Sequence, residues 1–145
     1  MLMPKKVKFR RVQRGTMKGR SKGCRTMLFG EYGLQAVNPA WLTSQQIEAM
    51  RVAVSRHLEK EGRMFLRVFP DKPVTKKPAE TRMGKGKGTP EVWVSVVKRE
   101  RIILEIGGLN EQTAKAVLKL ASYKLPMKTR IIKKDEQSKK SVQTA

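Results

Sequence analysis

The chain has 145 residues, which is the length of one domain, and 39% of them are hydrophobic, enough for one compact core. Lysine and arginine total 33 against 12 acids, and a free enzyme of this size rarely needs the resulting formal net charge of +21. A polyanion is expected to compensate it. A membrane is a poor candidate, because no apolar run approaches the roughly 20 residues of a spanning helix and the basic residues form no single amphipathic face. Nucleic acid fits better.

The N-terminus is basic from Lys5 and lacks the apolar stretch of a secretory signal. Cys24 alone cannot form an internal disulfide, and with His57 as the single histidine there are too few ligands for a zinc site. The expectation is a reduced, intracellular protein without metal or cofactor.

Residues 1–27 hold ten basic residues and no acid: Lys5, Lys6, Lys8, Arg10, Arg11, Arg14, Lys18, Arg20, Lys22 and Arg25. Too little apolar surface is present to offset the ordering entropy, so the segment reads as an extended arm that gains order only against phosphate. The duller alternative is a solubilising tail. Residues 27–37 suggest a strand through Leu28, Phe29, Tyr32, Leu34 and Val37, with Gly30 and Gly33 weakening it or marking a bulge.

Thr43 with Gln46 three residues later is a capping box, and a helix is expected from there to about Glu61. Ile47, Met50, Val54 and Leu58 form its apolar stripe, and Gly62 fits the stop position. His57, at the edge of that stripe, has no evident catalytic partner and reads as structural. Residues 63–69 alternate Met64, Leu66 and Val68 with Arg63, Phe65 and Arg67, a half-buried strand with one basic face that ends at Pro70.

Residues 71–90 carry three prolines and three glycines without periodicity and read as a long loop, a feature that in compact domains is usually functional. Residues 91–97 and 101–106 are β-rich and suggest an antiparallel hairpin. Asn110 caps a second helix with the stripe Ala114, Val117, Leu118 and Ala121, stopped before Pro126. A short strand over 128–133 leads into a polar tail, 134–145, that reads as disordered. The order of elements predicts an α+β fold: a mainly antiparallel sheet covered by two helices, over residues 28–133, with the basic N-terminal arm and the long glycine-rich loop as appendages.

The run Gly84-Lys85-Gly86-Lys87-Gly88-Thr89 invites comparison with nucleotide-binding loops and fits neither of two patterns. A P-loop needs two glycines separated by four residues, then Lys and Ser or Thr opening a helix, whereas here Lys87 is followed by Gly88 and a β-rich segment. The dinucleotide fingerprint lacks its preceding strand and its third glycine. What the loop can do is bring backbone close to a phosphate chain at Gly84, Gly86 and Gly88, where no Cβ intervenes, while Lys85 and Lys87 add charge. Arg82 can offer a planar fork to phosphate or stack on an unpaired base. A flexible solvated loop is the alternative. Trp41 and Trp93 are candidates for base stacking, although Trp93, inside a strand, suits the core better. No pair of carboxylates shares an obvious cleft, and no catalytic residue is assigned.

The run Arg82-Met83-Gly84-Lys85-Gly86-Lys87-Gly88, then four residues to Trp93, resembles the signature of the bacterial large-subunit ribosomal protein sixteen family. Pro4-Lys5-Lys6-Val7-Lys8-Phe9-Arg10, Leu42-Thr43 with Gln46-Ile47-Glu48-Ala49, and Arg67-Val68-Phe69-Pro70-Asp71-Lys72-Pro73 extend the likeness over residues 1–133. Glu59-Lys60-Glu61-Gly62 and Phe65 depart from the consecutive basic residues and tryptophan usual there. The resemblance implies a late-assembling structural constituent of the large ribosomal subunit, cytoplasmic and ribosome-bound, although an organelle ribosome would suit the same sequence. It implies binding to large-subunit ribosomal RNA near the central protuberance, contact with aminoacyl-site tRNA and, as an extension of that contact, peptidyl-site tRNA, and neighbouring ribosomal proteins as partners. It also implies that the glycine loop points toward the peptidyl-transferase region, that RNA performs the chemistry, and that Arg82 is a candidate for hydroxylation. The residues expected to meet RNA are Lys5, Lys6, Lys8, Arg10, Arg11, Arg14, Arg67, Lys72, Arg82, Lys85 and Lys87. A general basic nucleic-acid-binding protein is the alternative that charge alone would support.

Overall fold

The computed structural model describes residues 1–58 and 62–134. Among them are seven strands and two helices: β1 (Tyr32–Ala36), β2 (Ala40–Thr43), α1 (Ser44–Ser55), β3 (Arg63–Leu66), β4 (Lys72–Lys76), β5 (Thr89–Val97), β6 (Ile102–Gly107), α2 (Glu111–Ser122) and β7 (Thr129–Lys133). The α+β class is as expected, but the strands form two antiparallel sheets, one of four strands in the order β3-β6-β1-β7 and one of three in the order β2-β5-β4.

Both helices begin where their caps require. Thr43 Oγ1 accepts the Gln46 N–H at 3.3 Å while Gln46 Oε1 accepts the Thr43 N–H at 3.1 Å, so two donors that the first helical turn would leave orphaned are satisfied. Asn110 Oδ1 does the same for Thr113 N–H at 2.8 Å. Ile47, Met50 and Val54 on α1 and Ala114, Val117, Leu118 and Ala121 on α2 are buried in one cluster with Leu34, Leu42, Leu104 and Ile106. The helices pack on each other, α2 against β1 and β7, and α1 against β2, β3 and β5.

α1 ends earlier than the spacing predicts. Arg56, His57 and Leu58 turn their N–H groups back to the carbonyls of Val52 and Val54, and His57 Nδ1 lies 2.8 Å from the Ala53 carbonyl, so the last turn is closed at Ser55. Gly62 is therefore not its stop residue, and the expected end near Glu61 falls on residues 59–61, outside the described ones. The tail likewise lies outside them from residue 135 onward.

Two strand expectations need correction. Residues 91–97 and 101–106 do not form a hairpin: β5 is flanked on both edges by β2 and β4, and β6 by β1 and β3, so neither strand has an edge left for the other. Glu100, at a left-handed φ of 68°, donates its N–H to Ala36 O and passes the chain from one sheet to the other. The expected loop over 71–90 is shorter, because β4 pairs with β5 from Lys72↔Val94 to Lys76↔Thr89. Pro73, which donates no hydrogen bond, is tolerated because β4 is an edge strand. Segment 77–88 then remains as the tip of a β4–β5 hairpin.

A bulge divides the core. Leu34 faces Leu104 but Gln35 faces Ile102, which leaves Ile103 as an extra residue on β6. Ile103 joins the main cluster, whereas Ile102 packs with Met27 and Ile132 in a second, smaller one.

Candidate nucleic-acid interface

The arm has two parts. From Arg20 to Met27 it is tied to the body: Arg20 bridges Arg99 in parallel register, Ser21 N–H donates to Arg99 O at 3.0 Å, and Ile102 N–H donates to Cys24 O at 2.7 Å. Glu100 adds ion pairs to Arg20 at 3.2 Å and Arg25 at 2.7 Å. Order in this half thus comes from internal partners, contrary to the expectation that phosphate alone would supply it. The earlier part is different. Lys5, Lys6, Lys8, Arg10, Arg11 and Arg14 are all exposed.

The hairpin tip is also exposed from Arg82 through Lys87, with Met83 97% exposed. Gly84, Lys85 and Gly86 take φ values of 102°, 55° and 92° in succession, a left-handed path that glycine permits without strain at two of its three positions. Gly88 has a separate reason: a Cβ there would stand 2.6 Å from the Lys76 carbonyl oxygen, where the two strands of the hairpin close. Lys77 Nζ donates to Gly84 O at 2.7 Å and steadies the turn. Arg82 and Lys85 are exposed at the tip, so their charge is available to a ligand.

Arm and hairpin meet. Lys87 Nζ donates to the Val12 carbonyl at 2.6 Å, and Lys72 Nζ donates to the Arg14 carbonyl. The Lys72 ammonium lies 5.0 Å, and the Arg14 guanidinium 5.8 Å, from the centroid of the Trp41 ring, within cation–π range. Arg14, Lys72 and Lys87, distant in sequence, are thereby gathered around one tryptophan. An ammonium has three donors, so one bond to a carbonyl leaves two for phosphate.

Arg67 stands apart from this surface. Its side chain is only 11% exposed and pairs with Glu105, which is wholly buried. The same carboxylate accepts N–H bonds from Leu28 at 3.1 Å, Phe29 at 2.7 Å and Gly30 at 2.8 Å. The Arg67 guanidinium also lies 5.1 Å from the Phe29 ring, which stacks on Phe65 at 5.4 Å. A buried charge needs this density of partners. Arg67 therefore joins the end of the arm to the four-stranded sheet, which leaves little of its side chain exposed for the RNA contact expected of it. Glu105 was invisible as a structural residue because one acid in an apolar strand carries no sequence signal of its partner.

Among the described residues there is no group of three or more His, Cys, Asp or Glu placed to hold a metal ion, and no helix is long and apolar enough to cross a membrane. The arrangement offers cations, open backbone and one cation-flanked indole, which suits binding of a phosphate-rich polymer.

Comparison with known proteins agrees with this chemistry. Residues 4–132 match the family model described as ribosomal protein L16p/L10e. The chain is 57% identical over 136 residues to a protein of Heliobacterium modesticaldum named large ribosomal subunit protein uL16, an alignment that covers 94% of each chain. On both grounds, the chain belongs to the L16p/L10e family of ribosomal proteins.

Proposed function

We propose that this protein is a structural constituent of the large ribosomal subunit that holds large-subunit ribosomal RNA through its exposed arm and presents the hairpin tip to tRNA. The observation that carries this reading is the junction of arm and hairpin, at Lys87 with Val12 and at Lys72 with Arg14, on a chain of this family. Two basic segments widely separated in sequence become one surface, with Lys5, Lys6, Lys8, Arg10 and Arg11 at one end and Arg82 and Lys85 at the other. Phosphate contacts along the arm would fix register, and the open backbone at Gly84 and Gly86 would let the tip approach a tRNA strand closely.

In this reading the protein positions RNA and performs no chemistry, joins the subunit late, and has neighbouring ribosomal proteins and aminoacyl-site tRNA as partners. Peptidyl-site tRNA would be within the same field of contacts. Arg82, exposed at the tip, is the candidate for hydroxylation, which the mass of one added oxygen on its peptide would reveal. The direct test is sedimentation of the full chain with large subunits, followed by crosslink mapping onto RNA. Crosslinks from the arm to large-subunit RNA, and from the tip to tRNA, are expected. A chain found wholly in ribosome-free fractions would overturn the proposal. Equal affinity for duplex DNA and structured ribosomal RNA across salt concentrations would favour a general nucleic-acid-binding protein instead.

A further inference from the structure

We infer that the outer edge of β7 is a docking site for an extended, acidic segment of a neighbouring protein, which adds to the four-stranded sheet as a fifth strand. The inference rests on the reading above only for the presence of protein neighbours, and it gives their contact a surface and a chemistry.

β7 ends the sheet order β3-β6-β1-β7, so one of its edges pairs with β1 and the other is open. Val37 N–H donates to Lys128 O at 2.9 Å, and Lys134 N–H donates to Glu31 O at 3.0 Å. Bonded and non-bonded pairs alternate along an antiparallel ladder, so in the register Gln35↔Arg130 and Gly33↔Ile132 the even residues of β7 face β1. Thr129 and Ile131 therefore turn their N–H and C=O groups outward, and no other described residue bonds to them. Natural edges are blunted by prolines, short length or charge. β4 carries Pro73, and β2 and β3 have four residues each, whereas β7 runs for five residues without a proline and leaves Ile131 36% exposed.

Charge is the device left to β7, and it selects the partner. Residues 112–134 hold seven basic residues and no acid. Beside the open edge, a groove of about 210 Å³ is lined by Tyr32, Glu111, Lys115, Lys119, Ile131 and Lys133. It is smaller than the ~300 Å³ at which clefts for small ligands begin, so it suits the side chains of a strand. Glu111, the one acid of that lining, already holds Lys115 at 2.6 Å and Lys133 at 3.3 Å, which leaves the exposed Lys119 without an acid there.

A second copy of this chain would set these cations against their like, which is how charged edges discourage self-pairing. A phosphate backbone would meet the lysines, but its oxygens only accept, so the outward carbonyls would stay unmet and Ile131 uncovered. An acidic strand supplies backbone donors and acceptors, an apolar side chain for Ile131 and carboxylates for the lysines. In antiparallel register the partner side chains opposite Thr129, Ile131 and Lys133 enter the groove. The partner's pattern is thus acid, any residue, apolar, any residue, acid.

The test titrates the full chain with the capped peptide Thr-Glu-Thr-Ile-Thr-Glu-Thr and follows amide hydrogen exchange by NMR. Saturable binding with slowed exchange at the Thr129 and Ile131 N–H groups is expected. Ile131→Pro removes an outward donor and spares the ladder to β1, and it should weaken binding about tenfold, as should Lys119→Glu. The peptide N-methylated at its glutamates and isoleucine should not bind the unaltered chain, which keeps the proposal testable if the variants fold poorly. Equal binding by that peptide, or by one with lysine in place of both glutamates, would overturn the inference, as would unchanged exchange at the two amides. Equal protection by oligouridylate would make the edge a nucleic-acid surface instead. A concentration-dependent dimer abolished by Ile131→Pro would assign it to a second copy, and slow exchange in the free chain that is lost on removing residues 135–145 would assign it to the chain's own tail. A chain that sediments with large subunits but fails the peptide test loses the docking edge alone. One that passes it and is absent from subunits loses the ribosomal reading and keeps the edge.

Discussion

The four-stranded sheet with its helices and the arm–hairpin face are held together by different physics. In the first, side chains such as Leu34, Ile47, Met50, Ile103 and Leu118 are fully buried, and each contributes about 1.5–3 kcal/mol by leaving water. The one charged side chain fully buried among the described residues, Glu105, is matched by Arg67 and three backbone donors. In the second, β5 is exposed from Thr89 to Val92, the tip has no apolar side chain buried, and the arm is held by lysines on carbonyls. The contrast teaches where charge has been left for a partner: the core matches its buried carboxylate with internal donors, whereas the outer face keeps its cations exposed.

The strongest way to break that division is through Glu105. Glu105→Ala strands the Arg67 charge and the donors of Leu28, Phe29 and Gly30, and should destabilise the chain by about 3–5 kcal/mol in denaturant unfolding, as removal of one member of a buried pair does. A loss below about 1 kcal/mol would show that the junction is not part of the core. Leu118→Ala, at the centre of the α2 stripe, should cost about 2–5 kcal/mol by the same measurement, with RNA affinity per folded molecule unchanged.

On the other side of the division, Arg82→Ala with Lys85→Ala and Lys87→Ala should leave the melting temperature nearly unaltered, since exposed substitutions usually shift stability within about 0.5 kcal/mol. Binding of tRNA by subunits carrying the triple variant should fall roughly tenfold, as expected when charged contacts are removed. Normal elongation by such subunits would remove the tip from the mechanism.

The smallest effect is electrostatic and belongs to the helix surfaces. A hydrogen bond from Arg51 holds the Glu48 carboxyl below its ordinary value of 4.5, and bonds from Lys115 and then Lys133 do the same for Glu111. A depressed folded-state pKa gives stability that is present above 4.5 and lost as the pH falls through the lower folded value. Unfolding followed from neutral pH downward should show that slight loss only below the ordinary carboxylate range, and Glu48→Gln with Glu111→Gln should flatten it. A loss already present near neutrality would assign it to other groups.

Much of the core could be read from residue order, since periodicity is a local property. The caps at Thr43 and Asn110 and the stripes on both helices are where their spacing puts them. Pairing is not local, and the errors follow from that. β5 and β6 adjoin in sequence and look like a hairpin, but each finds better neighbours at long range, and Pro73 hid an edge strand inside an apparent loop. For the interface, composition located the arm and the tip, and Arg82, Lys85 and the early arm lysines are exposed as a binding role requires. It could not tell that Arg67 is turned inward, because an arginine on an alternating strand reads alike whether it faces solvent or a buried acid. Nor could it bring Arg14, Lys72 and Trp41 together, which takes the fold.

The central claim is that the exposed arm binds RNA without contributing to the fold. Replacing Lys5, Lys6, Lys8, Arg10 and Arg11 together with alanine, leaving Arg14 in place, and sedimenting the full chain with large subunits over a range of salt tests it directly. Thermal unfolding should be unchanged, subunit binding should be lost at moderate salt, and the log–log salt slope of RNA binding should fall by about four. A variant that stays bound at the salt the unaltered chain tolerates, with the same slope, would contradict the claim.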